Sequence, residues 1–268
     1  MRKIPATGES LPALGMGTWK TFDVPAGPDR KALAGVLDPF FTSGCRLIDT
    51  SPMYGMAEAA LGETLAASPR NAAPFIATKV WTRGRAEGIR QMEGSFRLLC
   101  RPVLDLMQVH NLVDWRTHVP VLKEWKAAGR IRYWGLTHYT ASSQGELLRV
   151  AAETRPDFIQ INYSLAEPDA EADLLPFAMD NGIAVLANRP FGEGSLFARA
   201  RGKPLPGSAR EAGYKTWGAV ALGFVLGNPA VTCAIPATSN PLHLAENIAA
   251  ASLPLPDAAL RRAWREGF

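Results

Sequence analysis

Short apolar runs of five or six residues alternate along the whole chain with longer segments whose apolar positions recur at helical spacing. The runs fall at 14–18, 45–49, 74–79, 105–110, 133–137, 158–162, 184–188 and 231–236. The helical patterns lie between and after them, at 29–43, 57–67, 86–99, 119–128, 142–154, 171–181, 216–226 and 241–251. Strands that are apolar throughout and separated by helix-length segments belong to βα units feeding a parallel sheet. Eight units without an intervening linker predict an α/β fold of the (β/α)8 TIM-barrel type, a single domain over residues 1–268. Residues 1–9 read as a short N-terminal hairpin plugging the barrel, and 257–268 as an extra C-terminal helix carrying Leu260 and Trp264 four residues apart. Residues 189–213, with Arg189, Arg199, Arg201, Lys203 and Arg210, read as the longest structureless segment.

In a barrel of this kind chemistry is done at the C-terminal ends of the strands, so polar residues that end apolar runs are the ones to find. Asp49 ends Leu47-Ile48-Asp49, Lys79 ends Phe75-Ile76-Ala77-Thr78-Lys79, and His110 ends Leu106-Met107-Gln108-Val109-His110. Tyr54 follows Asp49 by five positions, near enough to fold back over the strand end. Taken singly, each has an ordinary structural explanation; four on one rim do not. Together they suit a proton donor. A tyrosine hydroxyl titrates near ~10, an adjacent ammonium favours its ionised form, and the sequence therefore predicts that Lys79 lowers the Tyr54 pKa. Asp49 would keep Lys79 charged, and His110 would orient a substrate oxygen. The Gly15-Met16-Gly17-Thr18 stretch is not G-x-G-x-x-G, so a doubly wound dinucleotide fold lacks its fingerprint.

Composition narrows the partners. The 29 Lys and Arg against 25 Asp and Glu give a net charge of +4 without a basic arm, which argues against nucleic acid. The three cysteines, Cys45, Cys100 and Cys233, form no C-x-x-C pair, and no apolar segment is long enough for a signal peptide or membrane span, so a cytoplasmic protein is expected. His118, His138 and His243 are scattered, so no metal site is expected.

The segment Arg46-Leu47-Ile48-Asp49-Thr50-Ser51-Pro52-Met53-Tyr54-Gly55, followed by Ala60-Leu61-Gly62-Glu63, resembles the signature of the aldo-keto reductases around their catalytic Asp and Tyr. Ala77-Thr78-Lys79, Asp105 to His110, Gly129 to Thr137, Ile159 to Ser164, and Ile235 to Ser239 with Glu246-Asn247 resemble that family's later strands in order. The resemblance implies reduction of aldehydes or ketones by hydride transfer from NADPH, with NADH as the alternative cofactor. It makes Tyr54 the general acid, tuned by Lys79 and Asp49, with His110 orienting the substrate. Thr137, His138 and Gln160 fall on the carboxamide-binding positions, where the family commonly has Ser, Asn and Gln. Asn188 replaces a ring-stacking Tyr, leaving Arg189 or Phe191 to supply a planar surface. Pro190 and Gly192 belong to the same turn, and Gly17, Thr18 and Trp19 to the first strand end. Around the adenosine phosphate stand Ile235, Ala237, Thr238, Ser239, His243, Glu246 and Asn247, with Ala237 and His243 where some members have Lys and Arg. Trp19, Trp81 and Trp115, together with the C-terminal Trp264 and Phe268, are expected at the substrate end, whereas Trp217 is assigned to packing. A monomer or weak oligomer acting on a small-molecule carbonyl compound follows. The rival readings are a non-catalytic NADP(H)-binding redox sensor, and a barrel hydrolase or isomerase with a phosphate loop, of which Gly192 and Gly194 are only a faint trace.

Overall fold

The computed structural model describes residues 1–67 and 74–268. Among the described residues ten strands follow one another: β1 (Arg2–Lys3), β2 (Ser10–Leu11), β3 (Met16–Gly17), β4 (Leu47–Asp49), β5 (Phe75–Val80), β6 (Leu104–His110), β7 (Ile131–His138), β8 (Phe158–Asn162), β9 (Ala184–Asn188) and β10 (Cys233–Ala234). The first two pair antiparallel as a hairpin, and β3 to β10 form an all-parallel sheet in sequence order. The sheet closes on itself where Leu14 and Gly17 bridge Ala234 and Ala237. Hydrogen bonds from Ala234 N to Ala13 O (2.8 Å) and from Gly17 N to Pro236 O (3.1 Å) seal the seam. A Cβ on Gly15 would stand 2.9 Å from both Cys233 Sγ and Leu47 O, and one on Gly17 would stand 3.0 Å from Ile235 O. Those glycines let the first and last strands approach.

Side chains of a strand alternate between its faces, and here the alternation separates two cores. Leu47, Phe75, Ala77, Leu106, Tyr133, Phe158, Ala184, Leu186, Cys233 and Ile235 point into the barrel, where Ile4 and Leu11 of the hairpin join them from below. Phe75, Tyr133 and Phe158 pack as an aromatic triad with centroids 5.4–6.0 Å apart. The intervening residues, such as Ile48, Ile76, Met107, Val109 and Leu136, pack against the helices. Continuing the inward series toward the strand ends leads from apolar to polar: Leu47 to Asp49, Ala77 to Lys79, Leu106 to Gln108 and His110, Tyr133 to Thr137, Phe158 to Gln160, and Leu186 to Asn188. The floor is closed by apolar packing and the rim carries the chemistry.

The helices Ala57–Ala67 and Pro241–Ala251 occupy the predicted ranges, whereas the predicted 29–43 helix is two helices, Pro28–Ala32 and Ala34–Thr42. Two expectations fail. Residues 189–213 are not structureless: they hold a 3-10 turn (Gly192–Gly194) and the helices Ser195–Ala200 and Gly207–Glu211, anchored by buried Leu196, Ala200 and Ala209. The fourth helix pattern begins at Trp115 rather than at 119, so Pro120 stands inside the helix, where it removes one backbone hydrogen bond. The C-terminal helix Ala258–Glu266 forms as expected, capped by Asp257, whose Oδ1 accepts from Leu260 N (2.8 Å).

Candidate active site

At the rim, Lys79 is fully buried at the end of β5 and donates to Asp49 Oδ2 at 2.6 Å and to Thr50 O at 2.8 Å. Gln108 Nε2 approaches the other oxygen, Asp49 Oδ1, at 3.4 Å. An ammonium this deep stays charged only through such partners. Burial pulls its pKa down, but Asp49 and Tyr54 outweigh burial, and the net shift is upward. The segment after β4 turns back at once: Tyr54 N donates to Ser51 O (3.0 Å) and Met53 N to Ser51 Oγ (3.2 Å). This turn lays the Tyr54 ring above Lys79, with Nζ 5.0 Å from the ring centroid, and edge-on to the His110 ring at 6.2 Å. The Lys79 charge also acts on the Tyr54 hydroxyl, where it favours the ionised form.

The electrostatics correct one expectation. Lys79 does lower the Tyr54 pKa, but burial and the Asp49 carboxylate push harder the other way, so the net shift is upward. How deeply the phenol is buried depends on the assembled rim and cannot be read from one segment. Tyr54 is therefore a neutral O–H donor at physiological pH, with a cation beneath it to meet the phenolate when the proton leaves. His110 is neutral too, its pKa pushed down to about 3 by burial and then by Lys79 and His138. Its Nδ1 lies 3.5 Å from Ser51 Oγ, which leaves Nε2 for a ligand.

Asp49, Tyr54 and His110 form one end of a cavity of about 900 Å³, at the upper end of the range for small-molecule sites. Its walls include Gly17, Thr18, Trp19, Trp81, Thr137, Gln160, Asn188, Arg189, Pro190, Phe191, Ile235, Ala237, Thr238, His243, Glu246 and Asn247, all singled out in the sequence. His138, Gly192 and Ser239 are not on the wall. His138 is turned away: its Nδ1 meets Thr140 N at 3.3 Å and Thr140 Oγ1 at 3.2 Å, and Tyr139 lines the cavity instead. Trp115 is also corrected. It is 7% exposed, packed into the outer core at the first turn of its helix, and absent from the wall. Trp264 is fully buried, edge-on to Tyr214 with centroids 4.9 Å apart, and Phe268 packs on Trp217 outside the wall. Trp217, assigned to packing, lines the cavity at the start of the helix Trp217–Leu226. The sequence signal that could have found it is Thr216, whose side chain caps that helix and fixes where its first turn faces.

Among the described residues, four buried polar atoms on wall residues lack partners: Thr21 Oγ1, Asn111 Oδ1, Gln160 Nε2 and Asn188 Oδ1, the last two on neighbouring strands. Gln160 Oε1 accepts from Thr137 Oγ1 at 3.0 Å, while Gln160 Nε2 is unpaired; Asn188 Oδ1 is unpaired as well. A donor and an acceptor buried without partners at the ends of neighbouring strands are costly unless a ligand satisfies them. A carboxamide has the complementary acceptor and donor, so the residues fit nicotinamide. At the opposite end, the helix Pro241–Ala251 starts beside Thr238, with Asn240 Oδ1 accepting from Leu242 N (2.9 Å), and its N-terminus suits a phosphate. Among the described residues, no group of three or more His, Cys, Asp or Glu side chains is placed to share a metal ion, and no helix is long and apolar enough to cross a membrane.

Comparison with known proteins gives the class. The sequence profile of the Aldo/keto reductase family matches residues 13–263, and the chain belongs to that family. It is similar to the methylglyoxal reductase YeaE of Escherichia coli K12, at 29% identity over 94% of this chain and 89% of that protein. It is also similar to an NADH-specific methylglyoxal reductase of the same organism, at 30% identity over 81% and 75%. Among solved structures it resembles an aldo/keto reductase from Klebsiella pneumoniae in complex with NADP and acetate, with a TM-score of 0.83, 25% identity, and coverage of 98% and 93%. The chain is an NAD(P)H-dependent oxidoreductase acting on carbonyl compounds.

Proposed function

We propose that Tyr54 is the general acid in the reduction of small aldehydes and ketones, with Lys79, Asp49 and His110 in supporting roles. The observation that carries this is one arrangement: a protonated phenol above a buried ammonium–carboxylate pair, beside a neutral imidazole, at the end of the large cavity. When bound, the nicotinamide supplies the hydride. Gln160 and Asn188 would hold its carboxamide, and Thr238, Asn240 and Asn247 the phosphate end. The protein's own residues do the rest. His110 Nε2 and the Tyr54 hydroxyl aim the carbonyl oxygen, the Tyr54 O–H gives its proton to that oxygen as negative charge develops, and Lys79 stabilises the phenolate that remains. Asp49 holds Lys79 in its charged form. No observation favours a purely sensing role.

Because two relatives are named methylglyoxal reductases, methylglyoxal is the first substrate to offer. Tyr54→Phe should lower turnover about 10²–10⁴-fold while cofactor binding, followed by nicotinamide fluorescence, is retained. Turnover near that of the parent would reject the assignment. We further propose a single-domain cytoplasmic protein, monomeric or weakly oligomeric, in keeping with three free cysteines and a mild net charge.

A further inference from the structure

We propose that Arg189 anchors a carboxylate on the substrate, so that the preferred carbonyl compounds are short aldehydes or ketones bearing a carboxylate group, and that Glu193 holds the guanidinium when no such substrate is present. The proposal rests on the reading of Tyr54 given above and names the substrate class of that site.

Arg189 is the first residue beyond β9 and has φ 50°, a left-handed backbone that non-glycine residues rarely adopt. Three of the next five residues, Gly192, Glu193 and Gly194, also have positive φ. Strained backbone of this kind collects at ligand clamps. The turn brings Arg189 and Glu193 together on the cavity wall, with Nη2 to Oε1 at 2.5 Å. The guanidinium lies 4.3 Å from the Tyr139 ring centroid and 5.7 Å from that of Trp19, both on the same wall. Aromatic faces steady a guanidinium in its plane while its N–H edge stays free for a planar, two-oxygen acceptor. Glu193 engages one corner of a five-donor fork, which leaves donors to spare.

The cation lines the same cavity as Tyr54 and His110. Its charge is felt at the Tyr54 hydroxyl, where it favours the ionised form. A substrate whose carbonyl oxygen meets Tyr54 can thus present a carboxylate to Arg189. The exchange is balanced: the carboxylate takes the place of Glu193, whose own side chain is 37% exposed and returns to water at little cost. A neutral substrate leaves the ion pair intact and gains nothing from it. The planar surface expected to stack on a cofactor ring is therefore packed against Tyr139, and its free edge serves the substrate.

The test compares 4-oxobutanoate with its uncharged methyl ester, a pair differing in charge and little in shape, at saturating NADPH. The quantity read is the acid-to-ester ratio of kcat/KM, in which any effect on the cofactor cancels. The parent enzyme should favour the acid. Arg189→Met should lower the ratio about 10–100-fold, the range for a hydrogen-bonded charge. Glu193→Gln, which releases the guanidinium, should raise it about three- to five-fold. A merely structural pair would move both variants the same way. A parent ratio at or below one overturns the proposal, as do shifts of the same sign in both variants. So does weaker NADPH binding in Arg189→Met with the ratio untouched, which would make Arg189 a cofactor contact. Turnover of neither compound, nor of methylglyoxal, would overturn the carbonyl-reductase reading itself, and this proposal with it.

Discussion

Replacing Asp49 by Asn keeps the shape of the buried rim pair and removes one of its charges. Lys79 is fully buried and Asp49 nearly so, with 2.6 Å between Nζ and Oδ2. Breaking such a pair strands an ammonium without compensation, which costs about 3–5 kcal/mol. For 268 residues, an unfolding entropy of about 2 cal/mol/K per residue gives roughly 0.6 kcal/mol/K, so the melting temperature should fall by about 5–8 °C. The pH dependence fixes the cause. In the parent the Lys79 pKa is raised by its partners, so its contribution is fully present below the ordinary lysine value and is lost only as pH climbs through the higher folded value. In Asp49→Asn, burial acts with less opposition, the folded pKa drops below ~10.4, and the deficit shrinks as pH rises toward that value and the amine sheds its proton. Asp49→Asn/Lys79→Met, which removes both charges, should recover much of the loss. Thermal unfolding of the three proteins between pH 7 and 10, followed by circular dichroism, decides the matter. A drop under about 2 °C in the single variant, or a double variant worse than the single, would refute the claim that an uncompensated buried charge is what matters.

Two further outcomes follow from the site. His110, with its folded pKa of about 3, stays neutral while an unfolded histidine takes up a proton near ~6.5, so the protein should lose stability as pH falls through that interval. His110→Gln should lose less over the same range in melting curves from pH 7 to 4, and a parent showing no such difference would contradict the assigned neutrality. Trp115→Ala should cost about 3–5 kcal/mol of stability, seen as a lowered melting temperature, because a buried aromatic leaves a cavity. Its relative rates across a panel of aldehydes should be unchanged; a reordered panel would return Trp115 to the substrate end.

The inward series of each strand was readable because period-two alternation survives in the sequence: Asp49, Lys79 and His110 each end an apolar run, and the family resemblance places Tyr54 beside them. The seam was harder. Only Met16–Gly17 and Cys233–Ala234 are regular strand, since the closing contacts are single bridges and Pro236 has no N–H to offer a ladder. Trp115 and Trp217 exchanged roles because both stand at helix starts, where composition is silent about which way the first turn faces. The direction of the Tyr54 shift needed the depth of burial, a property of the assembled rim rather than of any one segment. Residues 189–213 carry few apolar positions, and the buried side chains of their two short helices are Leu196, Ala200 and Ala209.

The hairpin β1–β2 stoppers the end of the barrel away from the cavity, with Ile4 and Leu11 inside, while Glu9 is held by Arg132, Arg46 and the Tyr133 hydroxyl. Met1 stands exposed on that far side. A surface tether attached on the hairpin side would hang from the blind end and leave the mouth clear for reactants, so immobilisation in that orientation suits this molecule.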